Sequence, residues 1–337
     1  MPPVATVIMP MDRPGADARR AVDSVLEQRS RRPFELLVVA PERGGLADDP
    51  KLRWLPMEER NPAIRRNAAA AASEAKYLAF IDDDAFADPA WLETAIEYLE
   101  THPGVVAIGG PDPAPPDSSV AELVSDTLLA TPWIGSGIAA HEARPGTFAV
   151  RRPWDLALVN LIMRKEVFDR LGGFRESIGY IGEDTELLSR MLGEGTVVYH
   201  DGIVVHHRRR RFPGAYLRQR WRYRVKTGER LVLGGALYRT RAVAALLAAG
   251  ATMLVLLVLA PAIALGLVAV YLILVTALAI PSTRLPAWLW PLIGPAFLLH
   301  HGTYFFGVIA GIGRGLARRV RGAGNQGGGG RVRDLER

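Results

Sequence analysis

The chain contains no cysteine, and one long stretch near its C-terminal end contains almost no charge. The absence of cysteine excludes a disulfide framework and thiol chemistry, and it is compatible with a reducing compartment. Residues 242–312 carry a single ionised side chain, Arg284, which is typical of membrane-spanning segments and not of a soluble domain. The N-terminal residues lack a basic segment followed by a long apolar core, so we expect no signal peptide.

Arginine clusters at 208–211, 218–230 and 314–321 flank this apolar block and contribute to the formal net charge of +6. Basic clusters beside apolar segments favour an anionic membrane surface as the binding partner. We therefore expect membrane lipids, and no nucleic acid, among the partners of this chain.

The apolar block is long enough for more than one membrane crossing. Residues 242–260 and 262–280 each have the length of a transmembrane helix, and Pro261 between them bends or breaks the pair into a hairpin. Residues 287–312 are apolar too, but their prolines and histidines leave two alternatives, a third span or a re-entrant segment.

The first 230 residues have a different pattern, in which short apolar runs alternate with amphipathic stretches. We predict strands at 4–9, 34–39, 52–55, 76–81, 105–108 and 156–163, and helices at 16–28, 63–75, 89–100, 118–130, 165–171 and from Gly182 onward. This alternation predicts an α/β domain with a parallel sheet and right-handed crossovers. The proline- and glycine-rich stretch 111–155 is a long connection, and long connections in compact domains are usually functional or disordered.

Three consecutive carboxylates, Asp82, Asp83 and Asp84, follow the apolar run 77–81. A buried strand would deliver them to the carboxyl edge of a sheet, where open α/β sheets bind ligands. Crowded carboxylates repel one another unless a cation lies among them, and Mg²⁺ or Mn²⁺ bridges such groups to phosphates. The cluster therefore suggests a metal–diphosphate site; alternatively, Asp84 or Asp88 caps the helix that follows.

A second acidic motif, Gly182-Glu183-Asp184, opens an amphipathic helix. The helix dipole stabilises acids in the first turn, so a structural role for Asp184 is an alternative to a catalytic one. His206 and His207 also leave two interpretations, a metal role for one of them or a solvated or capping pair.

The order of these motifs, with the strand 160–164 and Gly172-Gly173-Phe174 between them, resembles the inverting family 2 glycosyltransferases of the GT-A fold. The resemblance covers roughly residues 4–230. Further segments are similar to parts of that family or of its membrane-anchored branch, which builds bacterial exopolysaccharides on lipid-linked acceptors: 24–28, 65–67, 219–223 and 300–304.

This resemblance implies a Rossmann-like GT-A domain followed by transmembrane helices, a nucleotide-diphosphate sugar as donor, a lipid-linked or glycan acceptor, and Mg²⁺ or Mn²⁺ as cofactor. It implies that Asp84 and Asp82 hold the metal and that Asp184 is the catalytic base, with Glu183 as the alternative base. The implied donor-binding residues are Pro10, Asp12, Arg13, Arg66, Asn67, Asp82 and Asp83. The implied residues for the acceptor or its phosphate are Gln219, Arg222 and Tyr223.

Arginine suits phosphate because its guanidinium matches phosphate geometry with two hydrogen bonds. An interfacial basic helix is the alternative interpretation of the segment around Arg222, and the two roles are compatible.

Two positions of the sequence depart from the family pattern. Ala40-Pro41-Glu42 stands where an acidic pair usually follows the second strand, and Asp12-Arg13 stands in place of Asn-Arg. Asp12 or Glu42 would then contact the base of the nucleotide.

The predicted domains are a GT-A catalytic domain, a basic interfacial helical segment, a transmembrane region and a basic, Gly-rich flexible tail: 1–207, 208–241, 242–313 and 314–337. We predict a multi-pass protein of the inner membrane with a cytoplasmic catalytic domain. Three functions compete, namely transfer of one sugar to a lipid-linked acceptor, processive polysaccharide synthesis, and non-catalytic binding of a nucleotide sugar.

Overall fold

The computed structural model describes residues 2–46, 48–178, 181–234 and 240–326. The chain divides into two compact units: Met1–Arg210 with Leu278–Leu285, and Arg211–Ala277 with Pro286–Arg337. The first unit ends close to the predicted limit of the catalytic domain at 207. It also includes 278–285, a segment that the sequence predicts within the transmembrane region.

Strands and helices alternate through the first unit. The strands are β1 Ala5–Pro10, β2 Phe34–Ala40, β3 Leu52–Pro56, β4 Tyr77–Phe80, β5 Ala85–Ala87, β6 Val105–Gly109, β7 Thr147–Ala149, β8 Leu161–Arg164, β9 Thr196–His200 and β10 Val205–His207. The helices are α1 Ala16–Leu26, α2 Pro62–Ala71, α3 Trp91–Thr101, α4 Val120–Ala130, α5 Lys165–Arg170 and α6 Glu183–Met191. Each predicted strand and helix of this unit is present, although the strand predicted from 156 begins only at Leu161, after a 3₁₀ turn.

Eight of the described strands form one sheet in the order β3-β2-β1-β4-β8-β6-β9-β7. The prediction of a parallel sheet is wrong in part, because β8 runs antiparallel to both β4 and β6, and β7 runs antiparallel to β9. The physical reason is the connection before β8. It contains α4 and β7 but does not form a βαβ crossover, so β8 enters the sheet from the opposite end.

The centre of the sheet has both faces buried. On β1, Val7 and Met9 pack in a core with residues of α1 and α3, whereas Ile8 packs in a second core with residues of α2 and α6. Strands covered on both faces read as continuous apolar runs, which is why β1 and β4 were recognisable in the sequence. Since β1 pairs in parallel with both β2 and β4, the residues that follow these three strands emerge at the same edge.

A second, two-stranded sheet lies just beyond this edge, and the sequence analysis did not predict it. Its strands β5 and β10 are antiparallel, with His207 opposite Ala85. The pairing places His207 beside Asp84, although the two residues are far apart in the chain.

The second unit consists of α7 Gly214–Leu233, α8 Thr240–Leu259, α10 Ile293–Gln326 and most of α9 Pro261–Ala279. Three helical segments of the described chain are long and apolar enough to cross a membrane: Ala242–Leu259, Pro261–Ser282 and Ala287–Arg321. The third begins with a 3₁₀ turn and then continues as α10 without interruption.

The predicted flexible tail from 314 is wrong as far as Gln326, since α10 extends to that residue. Arginine and alanine in 314–321 are good helix formers, and no proline interrupts them. Arg318 of α10 also forms an ion pair of 3.2 Å with the buried Glu229 of α7. The remainder of the predicted tail lies outside the described residues.

Candidate active site at the carboxyl edge of the sheet

Asp82, Asp84 and His207 form a group that could hold a metal ion. One ligand atom from each residue can be chosen so that all three lie within 4.8 Å of one another. Strand β4 brings the two carboxylates to the sheet edge, and the β5–β10 pair brings the imidazole. Two carboxylate oxygens with one imidazole nitrogen suit Mn²⁺ or Mg²⁺, so the residues present fit the predicted cofactor.

The carboxylate of Asp84 in this group lies beside two basic side chains. His207 Nε2 lies 3.3 Å from Asp84 Oδ1, and Arg210 Nη2 lies 3.1 Å from Asp84 Oδ2. Burial by itself disfavours the charged form of Asp84, but the hydrogen bond to His207 and the charge of Arg210 lower its pKa. Burial likewise opposes protonation of His207, yet its contacts with Asp112 and Asp84 raise the pKa of its imidazole to about 9. The carboxylates thus attract a cation to this point.

The pKa of Asp83 shifts in the opposite direction to that of Asp84. Burial raises the pKa of Asp83 to about 7, and the nearby charges of Asp84, Asp82 and Asp12 act in the same direction. The structural alternative for Asp84 and Asp88 is not observed, because the N-cap of α3 is Ala90, where there is no side-chain cap hydrogen bond.

Arg66 of α2 joins the two acidic motifs. This buried side chain donates through Nη2 to Asp82 Oδ1 at 2.8 Å and through Nη1 to Glu183 Oε1 at 3.4 Å. Residues that are distant in sequence, at the end of β4 and at the start of α6, therefore share one guanidinium. The arrangement combines a cation-attracting group with a pair of carboxylates that can accept a proton.

Residues 43–162 match the family model "Glycosyl transferase family 2". This stretch is about a third of the chain, and within it the sequence is similar to family 2 glycosyltransferases. The O-antigen biosynthesis protein RfbC of Myxococcus xanthus is 30% identical over an alignment of 224 residues, which covers 61% of this chain and 17% of that protein. The glucosyl-dolichyl phosphate glucuronosyltransferase of Haloferax volcanii is 34% identical over an alignment of 99 residues, which covers 26% of this chain and 31% of that protein. This chain thus spans less than a third of either relative.

Among solved structures, the fold is similar to "Mannosyltransferase PcManGT from Pyrobaculum calidifontis in complex with GDP-Man and Mn2+". The TM-score is 0.54 at 17% identity, over 90% of this chain and 87% of that chain. The chain thus has a mixed α/β, Rossmann-like sheet similar to that of its GT-A structural neighbours, as the resemblance of its motifs implies.

The two candidate bases, Glu183 and Asp184, have different surroundings. Glu183 is 8% exposed, and burial raises its pKa to about 7, with Asp184 adding to the rise and Arg66 opposing it. Asp184 is more exposed, and its Oδ1 accepts a hydrogen bond of 2.6 Å from the backbone N–H of Thr185. The N-cap of α6 is Gly182 in the left-handed region, with φ of 87°.

The residues after β1 belong to the same edge. Asp12 and Arg13 are exposed, and Pro10 is half-buried at the end of the strand. Asp12 Oδ1 accepts a hydrogen bond of 2.8 Å from Nη1 of the buried Arg65. The buried Nη2 of Arg65 has no hydrogen-bond partner among the described residues. Glu42, the other candidate for contact with the base, is exposed after β2.

Asn67, predicted to contact the nucleotide, is engaged with the protein backbone. Its Oδ1 accepts from the N–H of Phe174 at 2.8 Å, and its Nδ2 donates to the carbonyl of the same residue at 2.9 Å. These bonds attach the turn that contains Gly172 and Gly173 to α2. The geometry therefore gives Asn67 a structural role that the sequence analysis did not consider.

The predicted acceptor residues lie on α7 of the second unit. Gln219 and Tyr223 are half-buried and Arg222 is exposed. Arg220, between them in sequence, lies over the rings of Tyr216 and Tyr223, with its guanidinium carbon 5.4 and 5.0 Å from their centroids.

His207 is the residue of the metal group that the predicted ligand set omitted. The interpretation of His206 and His207 as a solvated or capping pair is wrong for His207, which faces Asp84, while His206 Nε2 lies 3.2 Å from Asp88. Adjacent residues of a strand point to opposite faces. The two histidines therefore contact different acids because they lie in β10. The run Val205–His207 is too short for a strand to be predicted from the sequence, so this contact was missed.

Proposed function

We propose that this protein is a membrane-associated inverting glycosyltransferase, which moves a sugar from a nucleotide-diphosphate sugar to a lipid-linked or glycan acceptor. One observation carries the proposal. The cation-attracting group Asp82, Asp84 and His207 and the acids of α6 meet at the carboxyl edge of the sheet, with Arg66 bound to both. A donor diphosphate and an acceptor hydroxyl need these two kinds of group close together.

When bound, Mg²⁺ or Mn²⁺ would neutralise the charge of the leaving diphosphate. Asp84, Asp82 and His207 would hold the ion, and Arg66 would add positive charge near the diphosphate. Asp184 would accept the proton of the acceptor hydroxyl as its oxygen attacks the anomeric carbon. The bond from that carbon to the diphosphate breaks, the electron pair leaves with the diphosphate, and one displacement inverts the configuration. Glu183 is the alternative base.

On the donor side, the residues that surround this edge would contact the nucleotide: Pro10, Asp12, Arg13, Arg66, Asn67, Asp82 and Asp83. The solved structure of PcManGT contains GDP-Man and Mn²⁺, which supports a nucleotide sugar and a divalent ion as ligands of this fold. Gln219, Arg222 and Tyr223 would contact the acceptor or its phosphate.

The relatives support the choice of acceptor. Their names refer to O-antigen biosynthesis and to glucuronosyl transfer involving glucosyl-dolichyl phosphate, and the second of these is a lipid-linked sugar. The three apolar helical segments of the chain suggest membrane association. We propose a multi-pass protein of the inner membrane with its catalytic domain in the cytoplasm.

The test is to incubate the purified full chain with Mn²⁺ and a panel of nucleotide sugars and to measure nucleotide release. At least one donor should release nucleotide in a reaction that EDTA abolishes. Asp84→Ala should abolish metal-dependent donor binding while the protein remains folded, whereas the matched variant Asp88→Ala should keep it.

Absence of turnover with every donor, in a protein that is folded and supplied with lipid-linked acceptors, would contradict the proposal and favour a binding module. Long polymeric products would replace single transfer by processive synthesis.

A further inference from the structure

A buried group of charged side chains lies behind His207, and the reaction proposed above does not use it. Its centre is Asp112, which is fully buried. Asp112 Oδ1 lies 2.6 Å from His141 Nδ1, and Asp112 Oδ2 lies 3.6 Å from His207 Nδ1. Arg209, also buried, lies between two acids, with Nη1 3.5 Å from Asp112 Oδ2 and Nε 2.8 Å from Asp126 Oδ1.

The long connection after β6 supplies three members of this group, Asp112, Asp126 and His141. Its backbone is hydrogen-bonded to one residue of the metal group, because the N–H of His207 donates to the carbonyl of Pro113 at 2.9 Å. The N–H of Asp112 donates to the carbonyl of Ala140 at 3.2 Å. The irregular connection is therefore held in one position beside β10.

Burying several charges is expensive, and apolar side chains of similar volume often give equal or greater stability. A buried charged group is thus better explained by the geometry that it imposes. A histidine that binds metal through one ring nitrogen needs the N–H of its other nitrogen held by an acceptor, which fixes the tautomer and the orientation of the ring.

The two nitrogens of His207 face different partners. Nε2 faces Asp84, whereas Nδ1 faces both Asp112 Oδ2 and Arg209 Nη1, the latter at 3.3 Å. A guanidinium can donate but cannot accept a hydrogen bond, so Arg209 Nη1 at 3.3 Å can bond only an Nδ1 that carries no proton. Of these two groups, Asp112 alone can accept the proton of Nδ1.

We propose that Asp112 is a positioning residue for His207: it receives the Nδ1–H and thereby leaves Nε2, on the side of Asp84, to the metal ion. Arg209 and His141 hold Asp112 in place. This inference rests on the proposed metal site and extends it to a carboxylate that does not touch the ion.

The test compares Mn²⁺ binding by the full-length wild-type protein, Asp112→Asn and Asp126→Asn, by the electron paramagnetic resonance signal of free Mn²⁺ without donor sugar. Asp126 is the matched control, because it bonds Arg209 from the far side and its hydrogen bonds and ion pairs reach Ala114 and Arg284, not His207. We expect Asp112→Asn to weaken Mn²⁺ binding by about tenfold to a hundredfold, and Asp126→Asn to change it much less. Thermal unfolding of each variant shows that it is folded.

A second measurement is made on the wild-type protein and does not depend on the folding of Asp112→Asn. The ¹⁵N spectrum of histidine-labelled wild-type protein with Mg²⁺, assigned with His207→Gln, should report the Nδ1–H tautomer of His207. Unchanged Mn²⁺ affinity in folded Asp112→Asn, or the Nε2–H tautomer with Mg²⁺, would overturn the positioning role alone. A wild-type protein that binds no Mn²⁺ would overturn the metal site and this inference together.

Discussion

Glu183 and Asp184 are consecutive residues with similar chemistry, yet their side chains differ in burial. Glu183 is buried against Arg66, which also holds Asp82. Asp184 is partly exposed on the first turn of α6, where an acceptor hydroxyl would have access. A base has to reach the proton that it removes, so we propose Asp184 as the base.

Replacing Asp184 by Asn should therefore lower the transfer rate by about a hundredfold or more. The variant keeps the shape of the side chain but cannot take up the proton, so the affinity for the donor should change little. Steady-state kinetics and donor titration on the purified protein measure the two effects.

The matched variant is Glu183→Gln, which should keep much of the transfer rate. If Glu183→Gln is inactive while Asp184→Asn remains active, the base is one residue earlier. If both remain active, the base lies elsewhere in the chain.

Glu183 should also make stability depend on pH. Burial raises its folded-state pKa from the ordinary 4.5 to about 7; the charges of Asp184 and Asp82 add to the rise, while Arg66 opposes it. Between these values the folded protein keeps a proton that the unfolded chain has lost. The free energy of unfolding therefore falls as the pH rises through this window.

Glu183→Gln mimics the neutral form, so its Tm should exceed that of the wild type at about pH 8 and match it near pH 4.5. Thermal unfolding at the two pH values gives the comparison. A Tm difference that is the same at both would show that Glu183 does not titrate in this range.

At the scale of elements, small residues allow α7 and α10 to pack closely. A Cβ added at Gly311 would collide with the carbonyl oxygen of Val225, and one added at Gly228 would collide with that of Val308. Gly313, two residues further along α10, has open space around its Cα. Gly311 and Gly313 of α10 are therefore a matched pair of positions for alanine substitution.

We expect Gly311→Ala to lower the Tm of the detergent-solubilised protein by several degrees, because the helices must separate to admit the methyl group. Gly313→Ala should leave the Tm unchanged or raise it slightly, since alanine favours helix by up to about 1 kcal/mol over glycine. Equal effects of the two variants would mean that α7 and α10 do not depend on this contact.

At the scale of the whole molecule, three apolar helical segments predict that the protein behaves as an integral membrane protein. Salt screens interfacial contacts of arginine, with a Debye length of about 3 Å at 1 M, but it does not weaken the burial of apolar helices. Membranes that contain the full chain should therefore retain it after a high-salt wash and release it in detergent.

A chain truncated after Gly234 lacks the apolar block and should be released partly by salt. Immunoblots of the wash and pellet fractions measure both. Release of the full chain by salt alone would contradict integral insertion.

Local sequence patterns were sufficient for much of the fold and of the candidate site. The strand before Asp82 and the helix after Gly182 were predicted because an apolar run and a helical period are properties of neighbouring residues. The same patterns did not predict the antiparallel direction of β8, because the direction of a strand depends on the path of the chain between strands. They also missed the end of α10, where Gly-rich composition suggested a tail.

By itself, the sequence determined the α/β class, the apolar helical segments and the identity of the acidic motifs, since each depends on residues close together in the chain. Only the tertiary structure decided which distant residues meet: His207 beside Asp84 through the β5–β10 pair, and Arg66 between Asp82 and Glu183. The contact of Asp112 with the His207 imidazole is also a tertiary contact, which the sequence did not predict. Contacts between side chains far apart in sequence arise from sheet register and helix packing, which no short stretch of the chain encodes.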